Sequence, residues 1–152
     1  MTLWRISNYA DLNGLGGLHA SARWHSRGRP IVYLASTPSA ALLEVIVHLE
    51  LRDGNYPDSF QLLKAEAPDA VSRTQLPESE FAPEWSQDFR ITRAAGDNWL
   101  KSAASALLEV PSVIVPETSN WLLNPLHPDA ARLSVVWHRR FPYDGRLFRP
   151  RL

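Results

Sequence analysis

The chain has no cysteine among its 152 residues, which excludes disulfides, thiolate metal ligands and a thiol nucleophile. Sixteen basic residues are balanced by sixteen acidic ones. Because nucleic acids and anionic membranes attract positive charge, we expect neither as a direct partner. No apolar run reaches the length of a membrane span, and the first residues lack the pattern of a signal peptide. We therefore expect a cytoplasmic protein.

Apolar residues are plentiful. They make up 45% of the chain and include six tryptophans, which indicates a folded globule with a proper core. The length predicts a single domain over residues 1–152. Predicted strands and helices are interleaved too irregularly for a doubly wound parallel sheet. We predict the α+β class, with a compact mixed β-sheet and helices around it.

Residues 22–50 combine an extended segment, a strand signal and a helix signal. The continuous apolar run Pro30–Ala35 predicts a buried strand. Ser36 or Thr37 followed by Pro38 is typical of a helix start. The helix places its apolar residues on one face, namely Leu42, Val45, Ile46 and Leu49. We therefore expect it to be mostly buried.

The same stretch contains three groups suited to holding and splitting a dinucleotide, namely Arg23, Tyr33 and Glu44. Arginine can clamp a pyrophosphate, tyrosine offers a ring face and a hydroxyl, and a carboxylate can stabilise a sugar cation. The plainer interpretation of Glu44 is a solvated helix edge with a weak pair to His48, one turn away. No third ligand lies within sequence reach of that pair, so we predict no metal site.

The rest of the chain gives weaker signals. Further strands are predicted at Leu3–Ile6, Phe60–Ala65, Val110–Val115 and Leu133–His138, the last in the core. A helix is predicted from an N-cap at Asp97 to about Leu108. Turns or loops are predicted at Gly14–Gly17, Arg52–Asp58, 66–90 (with at most a short helix) and Asn120–Asp129. We expect the glycine loop to border the site, and we favour structural turns for Asn124 and His127, each followed by proline.

Several segments together resemble the RES domain family, the toxin half of RES–Xre toxin–antitoxin pairs. They are ARWHSRG (22–28), VYLA (32–35), ALLEV (41–45), GDNWL (96–100), VPSVIVP (110–116) and NWLLNPLHPD (120–129). They follow the family's order over nearly the whole chain, which is more specific than any single motif. Where the family usually reads Gly-Arg-Trp-Asn, this chain has Ala22 and His25 at the first and last positions.

The resemblance implies a fold similar to that of the diphtheria-toxin class of ADP-ribosyltransferases. It implies cleavage of the nicotinamide–ribose bond of NAD⁺, with water or inorganic phosphate as acceptor in some members and a protein in others. Glu44 would then stabilise the oxocarbenium-like state. Arg23 and Arg5 would hold the phosphates, although Arg5 is equally well explained as a surface residue on an edge strand. Tyr33 would stack on nicotinamide or its ribose, and Ser112 would donate a hydrogen bond to the nucleotide.

The resemblance also implies a partner, an Xre-type helix-turn-helix antitoxin that binds operator DNA on behalf of the complex. Three other interpretations stay open at this point. One is a toxin that ADP-ribosylates a protein target. The second is a catalytically degenerate binding module, which Ala22 and His25 would favour. The third is an RNA-cleaving toxin, which the neutral charge and the lack of a basic, aromatic groove disfavour.

Overall fold

The computed structural model describes residues 1–49 and 57–148, which form one seven-stranded sheet and two α-helices. The strands are β1 (Thr2–Ile6), β2 (Val32–Ala35), β3 (Ser59–Glu66), β4 (Arg73–Gln75), β5 (Leu107–Pro111), β6 (Ser119–Leu123) and β7 (Ser134–Pro142). The helices are α1 (Pro38–His48) and α2 (Phe89–Ser102). The sheet order is β4-β5-β6-β2-β1-β3-β7, with β4 and β5 parallel and the other neighbours antiparallel. This mixed sheet confirms the predicted α+β class.

Each face of the sheet has its own core, because side chains alternate between the faces along every strand. One face, which we call the Leu3 face, packs a cluster that includes Leu3, Val32, Leu34, Leu107 and Leu123. The opposite face, the Tyr33 face, packs a cluster that includes Trp24, Trp85, Trp99, Leu108 and Leu122. Tyr33 is partly buried against this second cluster, which α2 completes with Trp99 and Leu100.

The sequence prediction is correct for the start of α1 and wrong for the burial of the helix. The Thr37 side chain accepts a hydrogen bond from Ala40 N at 3.1 Å, and Pro38 lies in the first turn. Only Ala41 of this helix is buried, and Val47 is 57% exposed. The expectation of a mostly buried helix is therefore wrong, because one side of α1 borders an open cleft.

The second helix has its N-cap nine residues before the predicted one. Its N-cap is Asp88, whose side chain accepts from Arg90 N at 2.8 Å, and it ends at Ser102. Asp97 lies inside the helix and binds a loop instead of capping. Leu107 and Leu108 belong to β5, so the predicted helix from Asp97 to Leu108 is wrong in both bounds.

Several strand predictions also need correction. The strand predicted at Val110–Val115 is β5, which ends at Pro111, so Ser112 follows the strand. β6 occupies the first part of the turn region predicted at Asn120–Asp129, and β4 lies within the predicted loop 66–90. β1 is an interior strand rather than an edge. The predicted turn Arg52–Asp58 lies, except for its last two residues, outside the described residues.

The C-terminal strand lies at the edge of the sheet. Leu133–His138 was predicted as a core strand, and β7 does pair with β3 over its length. However, β7 alternates between exposed and half-buried positions and has no fully buried residue. A strand is confirmed here, and its core placement is wrong.

The turns after β6 match the prediction. Asn124 Oδ1 accepts from Leu126 N at 3.1 Å, and His127 Nδ1 accepts from Asp129 N at 3.1 Å. Both side chains therefore close local turns. Within residues 1–49 and 57–148, no helix has the length and apolar character needed to span a bilayer.

Candidate active site

A cleft of about 540 Å³ opens beside α1 and is lined from β1, β2, β6, α1 and the start of α2. This volume falls in the range of about 300–1,000 Å³ usual for small-ligand sites. Most of the lining is apolar or aromatic, including Trp4, Trp24, Leu34, Val45 and Phe89. The polar and charged residues of the lining are Arg5, Arg23, Tyr33, Glu44, His48 and Asn120. The cleft therefore combines stacking surfaces with a few charged groups.

Glu44 projects from α1 and meets two hydrogen-bond donors. Its Oε1 accepts from Asn120 Nδ2 at 2.6 Å and from Ser112 Oγ at 3.3 Å. His48 does not bind this carboxylate, because its Nδ1 contacts the backbone oxygen of Glu44 at 2.6 Å. The plainer interpretation, a solvated pair between the Glu44 and His48 side chains, is therefore wrong. The carboxylate is therefore held by two side-chain donors from other parts of the chain.

Arg23 stands on the same cleft. Its Nη1 donates to Ser86 O at 3.0 Å, and its guanidinium carbon lies 4.4 Å from the centroid of the Phe89 ring. Partial burial lowers the pKa of Arg23, and the nearby charge of Glu44 raises it. Arginine stays protonated in any case, so the cleft holds a fixed cation.

Three side chains of α2 fasten the loop that contains Arg23. Thr92 Oγ1 donates to Arg23 O at 2.6 Å, and Arg93 Nε donates to Ala22 O at 2.7 Å. The Asp97 carboxylate accepts from Ser26 N at 2.8 Å. The loop backbone is therefore fixed by contacts that do not depend on the Arg23 side chain.

Gly96 lets α2 approach this loop closely. A Cβ atom at Gly96 would lie 1.7 Å from Trp24 O, so no larger side chain fits there. This contact and the Asp97 carboxylate explain the Gly96-Asp97 pair, which the sequence suggested as a helix start. The pair joins the helix to the loop.

The Tyr33 hydroxyl also supports the loop. It accepts from Trp24 N at 3.2 Å and pairs with His25 Nδ1 at 2.9 Å. Burial raises the pKa of Tyr33 well above its usual value, so the phenol stays protonated and can donate to His25. Burial also lowers the pKa of His25, against the opposing effect of the nearby Ala20 and Gly17 carbonyls. With its hydroxyl engaged in the loop, Tyr33 also forms part of the cleft lining.

Unlike Arg23, Arg5 does not direct its side chain to the side of the sheet on which Glu44 lies. Trp4 pairs with Ala35 on the Tyr33 face, so alternation directs the Arg5 side chain to the Leu3 face. Its Nη1 donates to Asp11 O at 2.8 Å, and burial lowers the pKa of Arg5. Arg5 borders the cleft, but its recorded partner is a backbone oxygen of the neighbouring loop.

Ser112 lies just past the end of β5 and is buried. Its Oγ donates to Glu44 and accepts from Ile114 N at 3.3 Å and Val115 N at 3.2 Å. A serine hydroxyl has a single proton. In this arrangement that proton is directed to the carboxylate of Glu44, and a nucleotide would compete for it.

Sequence reasoning missed two residues of the cleft, Asn120 and Phe89. Asn120 was placed in a turn, although the apolar run Trp121-Leu122-Leu123 after it is typical of a buried strand. Phe89 fell in a region to which no chemistry was assigned. The glycine loop, by contrast, is absent from the cleft lining. A Cβ at Gly17 would lie 2.3 Å from Arg29 O, so this loop packs against its neighbour and its predicted place beside the site is wrong.

Among residues 1–49 and 57–148, no three His, Asp or Glu side chains lie close enough to share a metal ion. The groups available to the cleft are therefore the carboxylate, the arginines, the amide and the aromatic rings. These groups suit binding and polarisation of a planar, anionic ligand such as a nucleotide.

Comparisons with known proteins identify the family. The model of the RES domain matches residues 2–144. Toxin Res of Pseudomonas putida is 49% identical over 150 residues, covering 97% of this chain and 100% of that protein. The Prs ADP-ribosylating toxin of Sphingobium is 37% identical over 158 residues, covering 97% of each. The chain belongs to the RES domain family, and its class is that of the RES toxins.

A solved structure shows the same fold. The toxin–antitoxin complex MbcT–MbcA of M. tuberculosis matches with a TM-score of 0.73 at 16% identity, covering 93% of this chain and 84% of that chain. This match confirms the predicted α+β fold.

Proposed function

We propose that this RES toxin consumes NAD⁺ by breaking its nicotinamide–ribose bond. The main support is that Glu44 and Arg23 lie on one cleft of about 540 Å³ with aromatic walls. A dinucleotide needs a cation for its phosphates, flat surfaces for its rings and an anion for the ribose cation that forms. The cleft offers each of these, and the resemblance to the family assigns the same residues to the same tasks.

The reaction follows from these groups. The bond between ribose C1′ and the nicotinamide nitrogen breaks, and its electron pair leaves with neutral nicotinamide. Positive charge then develops on the ribose, where Glu44 stabilises it and accepts hydrogen bonds from the ribose hydroxyls. Arg23 holds the phosphates, and the Tyr33 ring stacks on nicotinamide or its ribose. Arg5 joins Arg23 only if its guanidinium leaves Asp11 O and turns to the cleft side of the sheet. An acceptor oxygen bonds to C1′ and gives up its proton.

The acceptor defines a second candidate function, ADP-ribosylation of a protein. A relative with 37% identity over 97% of both chains is named an ADP-ribosylating toxin, which favours this alternative. Water and inorganic phosphate are the other two candidate acceptors. Ser112 is buried and is not among the cleft-lining residues, so the hydrogen bond to the nucleotide that the resemblance assigns to it requires its hydroxyl to turn from Glu44 toward the cleft.

An antitoxin partner belongs to this proposal. The structural neighbour is one half of a toxin–antitoxin complex, and the resemblance indicates an Xre-type partner. In the proposed arrangement the chain acts as a single domain in the cytoplasm. The antitoxin neutralises it and makes all the contacts with DNA.

The deciding experiment measures nicotinamide release from NAD⁺ by the purified chain, with and without inorganic phosphate. We expect release by the wild type and a loss of about 100-fold or more in Glu44→Gln, since a preorganised group facing the transition-state charge has such an effect. Glu80→Gln is the matched control, because Glu80 is exposed and lies outside the cleft. Release only with phosphate identifies phosphorolysis. An active Glu44→Gln protein would refute the assignment. No release by a folded protein would favour a protein-directed transferase that lacks its target, or a binding module.

A further inference from the structure

Asn120 lies on the floor of the cleft, in the middle of the sheet. It belongs to β6, where its backbone neighbours are Ala35 of β2 and Val110 of β5. Its Nδ2 donates to Glu44 Oε1 at 2.6 Å, the shorter of the two hydrogen bonds recorded for this carboxylate. A strand paired on both sides is a rigid support for such a contact.

The other end of the same amide lacks a partner. Asn120 Oδ1 is buried and makes no hydrogen bond. Buried polar atoms are nearly always satisfied, so an exception needs a reason. Turning the amide over would place Oδ1 against the Glu44 oxygen, where two acceptors would repel. Glu44 therefore sets the orientation of the amide. The hydrogen bond from Asn120 Nδ2 to Glu44 is kept although Asn120 Oδ1 has no partner.

Glu44 needs such a support because α1 gives it little. The helix buries only Ala41, and a glutamate side chain on a half-exposed helix can adopt several rotamers. Ser112 is the weaker support, since its bond is longer at 3.3 Å. A donor at 2.6 Å fixes the direction of the carboxylate.

From this geometry we propose that Asn120 is a positioning residue that holds Glu44 toward the ribose of NAD⁺. This inference rests on the proposed function and assigns Asn120 no contact with substrate. Asn120 acts only through the carboxylate of Glu44. Its removal should therefore lower kcat much more than it changes KM for NAD⁺.

The sharpest test is Asn120→Asp, which keeps the shape and replaces the donor with a second carboxylate. Two carboxylates at this distance do not both ionise near neutral pH. We expect kcat to fall about 10- to 100-fold, KM to change less than about threefold, and the acid limb of the pH–activity profile to move to higher pH. Asn98→Asp is the control, because it adds the same charge at an exposed position on α2 outside the cleft. It should behave as wild type.

A second variant and a stability measurement keep the test decisive if Asn120→Asp folds poorly. Asn120→Ala adds no charge and should also lower kcat much more than it changes KM for NAD⁺. The double variant Glu44→Gln/Asn120→Asp rebuilds an amide–carboxylate pair with its ends exchanged. We expect it to recover the melting temperature that Asn120→Asp loses, without recovering activity.

The outcomes separate this inference from the function on which it rests. A folded wild type that consumes no NAD⁺ with water, inorganic phosphate or protein as acceptor would overturn both. An active wild type in which Asn120→Asp and Asn120→Ala keep the wild-type kcat and pH profile would overturn the role of Asn120 alone. A melting temperature that the double variant fails to restore would also count against it, since the two side chains would then not be coupled.

Discussion

The two charged groups of the cleft are held in very different ways. The Arg23 loop is fastened mainly through its backbone, by Thr92, Arg93 and Asp97 of α2 and by the Tyr33 hydroxyl. Glu44 is held through its carboxylate, by two side chains from other parts of the chain. The Arg23 loop should therefore tolerate the loss of one hydrogen bond. The position of Glu44 should be sensitive to such a loss.

Gly96→Ala should have the largest effect, because it disrupts the packing of α2 against the Arg23 loop. The new Cβ would meet Trp24 O at 1.7 Å, and a backbone atom has little freedom to move away. We expect a loss of about 3 kcal/mol in the free energy of unfolding, measured by urea denaturation. Gly16→Ala is the control, because nothing lies within 4 Å of a Cβ there. Equal stabilities for the two variants would show that α2 does not restrain the loop.

Tyr33→Phe should have a smaller effect. It removes the hydroxyl that pairs with Trp24 N and His25 Nδ1 and keeps the ring. We expect a loss of about 1–2 kcal/mol in the free energy of unfolding, with most of the NAD⁺ turnover retained. Tyr9→Phe, at a site that is 72% exposed, should be neutral. A Tyr33→Phe protein of normal stability but without activity would mean that the hydroxyl serves the substrate instead of the loop.

The smallest effect should be a pH dependence from His25. Burial lowers the pKa of His25 in the folded chain, so the unfolded chain binds a proton more readily. Stability should then fall as the pH drops below about 6.5, the ordinary value for histidine, toward the lower folded-state value. Asp97 and Arg93 act on the ring in opposite directions, and Tyr33 pairs with it.

Thermal melts across this pH window compare His25→Asn, which should flatten the dependence, with His19→Asn at an exposed position. If wild type and His25→Asn lose stability in parallel on acidification, the dependence arises elsewhere. Together the three variants test whether several independent contacts support the loop.

Local signals predicted the parts of the fold that local physics determines. The apolar run before Ala35 and the capping residue Thr37 with Pro38 predicted β2 and the start of α1. The start of α2 was wrong because Asp88 and Asp97 are equally good capping residues by type. Only the loop contacts of Asp97 distinguish them, and these contacts link residues 71 positions apart.

The same limit applies to the site. Arg23, Tyr33 and Glu44 were selected from one short stretch, and the structure places all three on one cleft, while their roles stay predictions. Asn120 could not be found in this way, because it is 76 positions from Glu44. Alternation along β1 was readable in principle. It shows that Trp4 and Arg5 face opposite sides of the sheet, but the sequence does not tell which of the two sides holds the cleft.

The thin packing of α1 has a consequence for how the protein opens. A segment with few buried apolar contacts separates from the rest at a lower free energy than the sheet does. Only Ala41 of α1 is buried, whereas β5 and β6 supply many of the fully buried side chains. Brief local unfolding of α1 would carry Glu44 away while Asn120 stays on the sheet. The contact between Asn120 and Glu44 would therefore exist only while this helix is docked on the sheet.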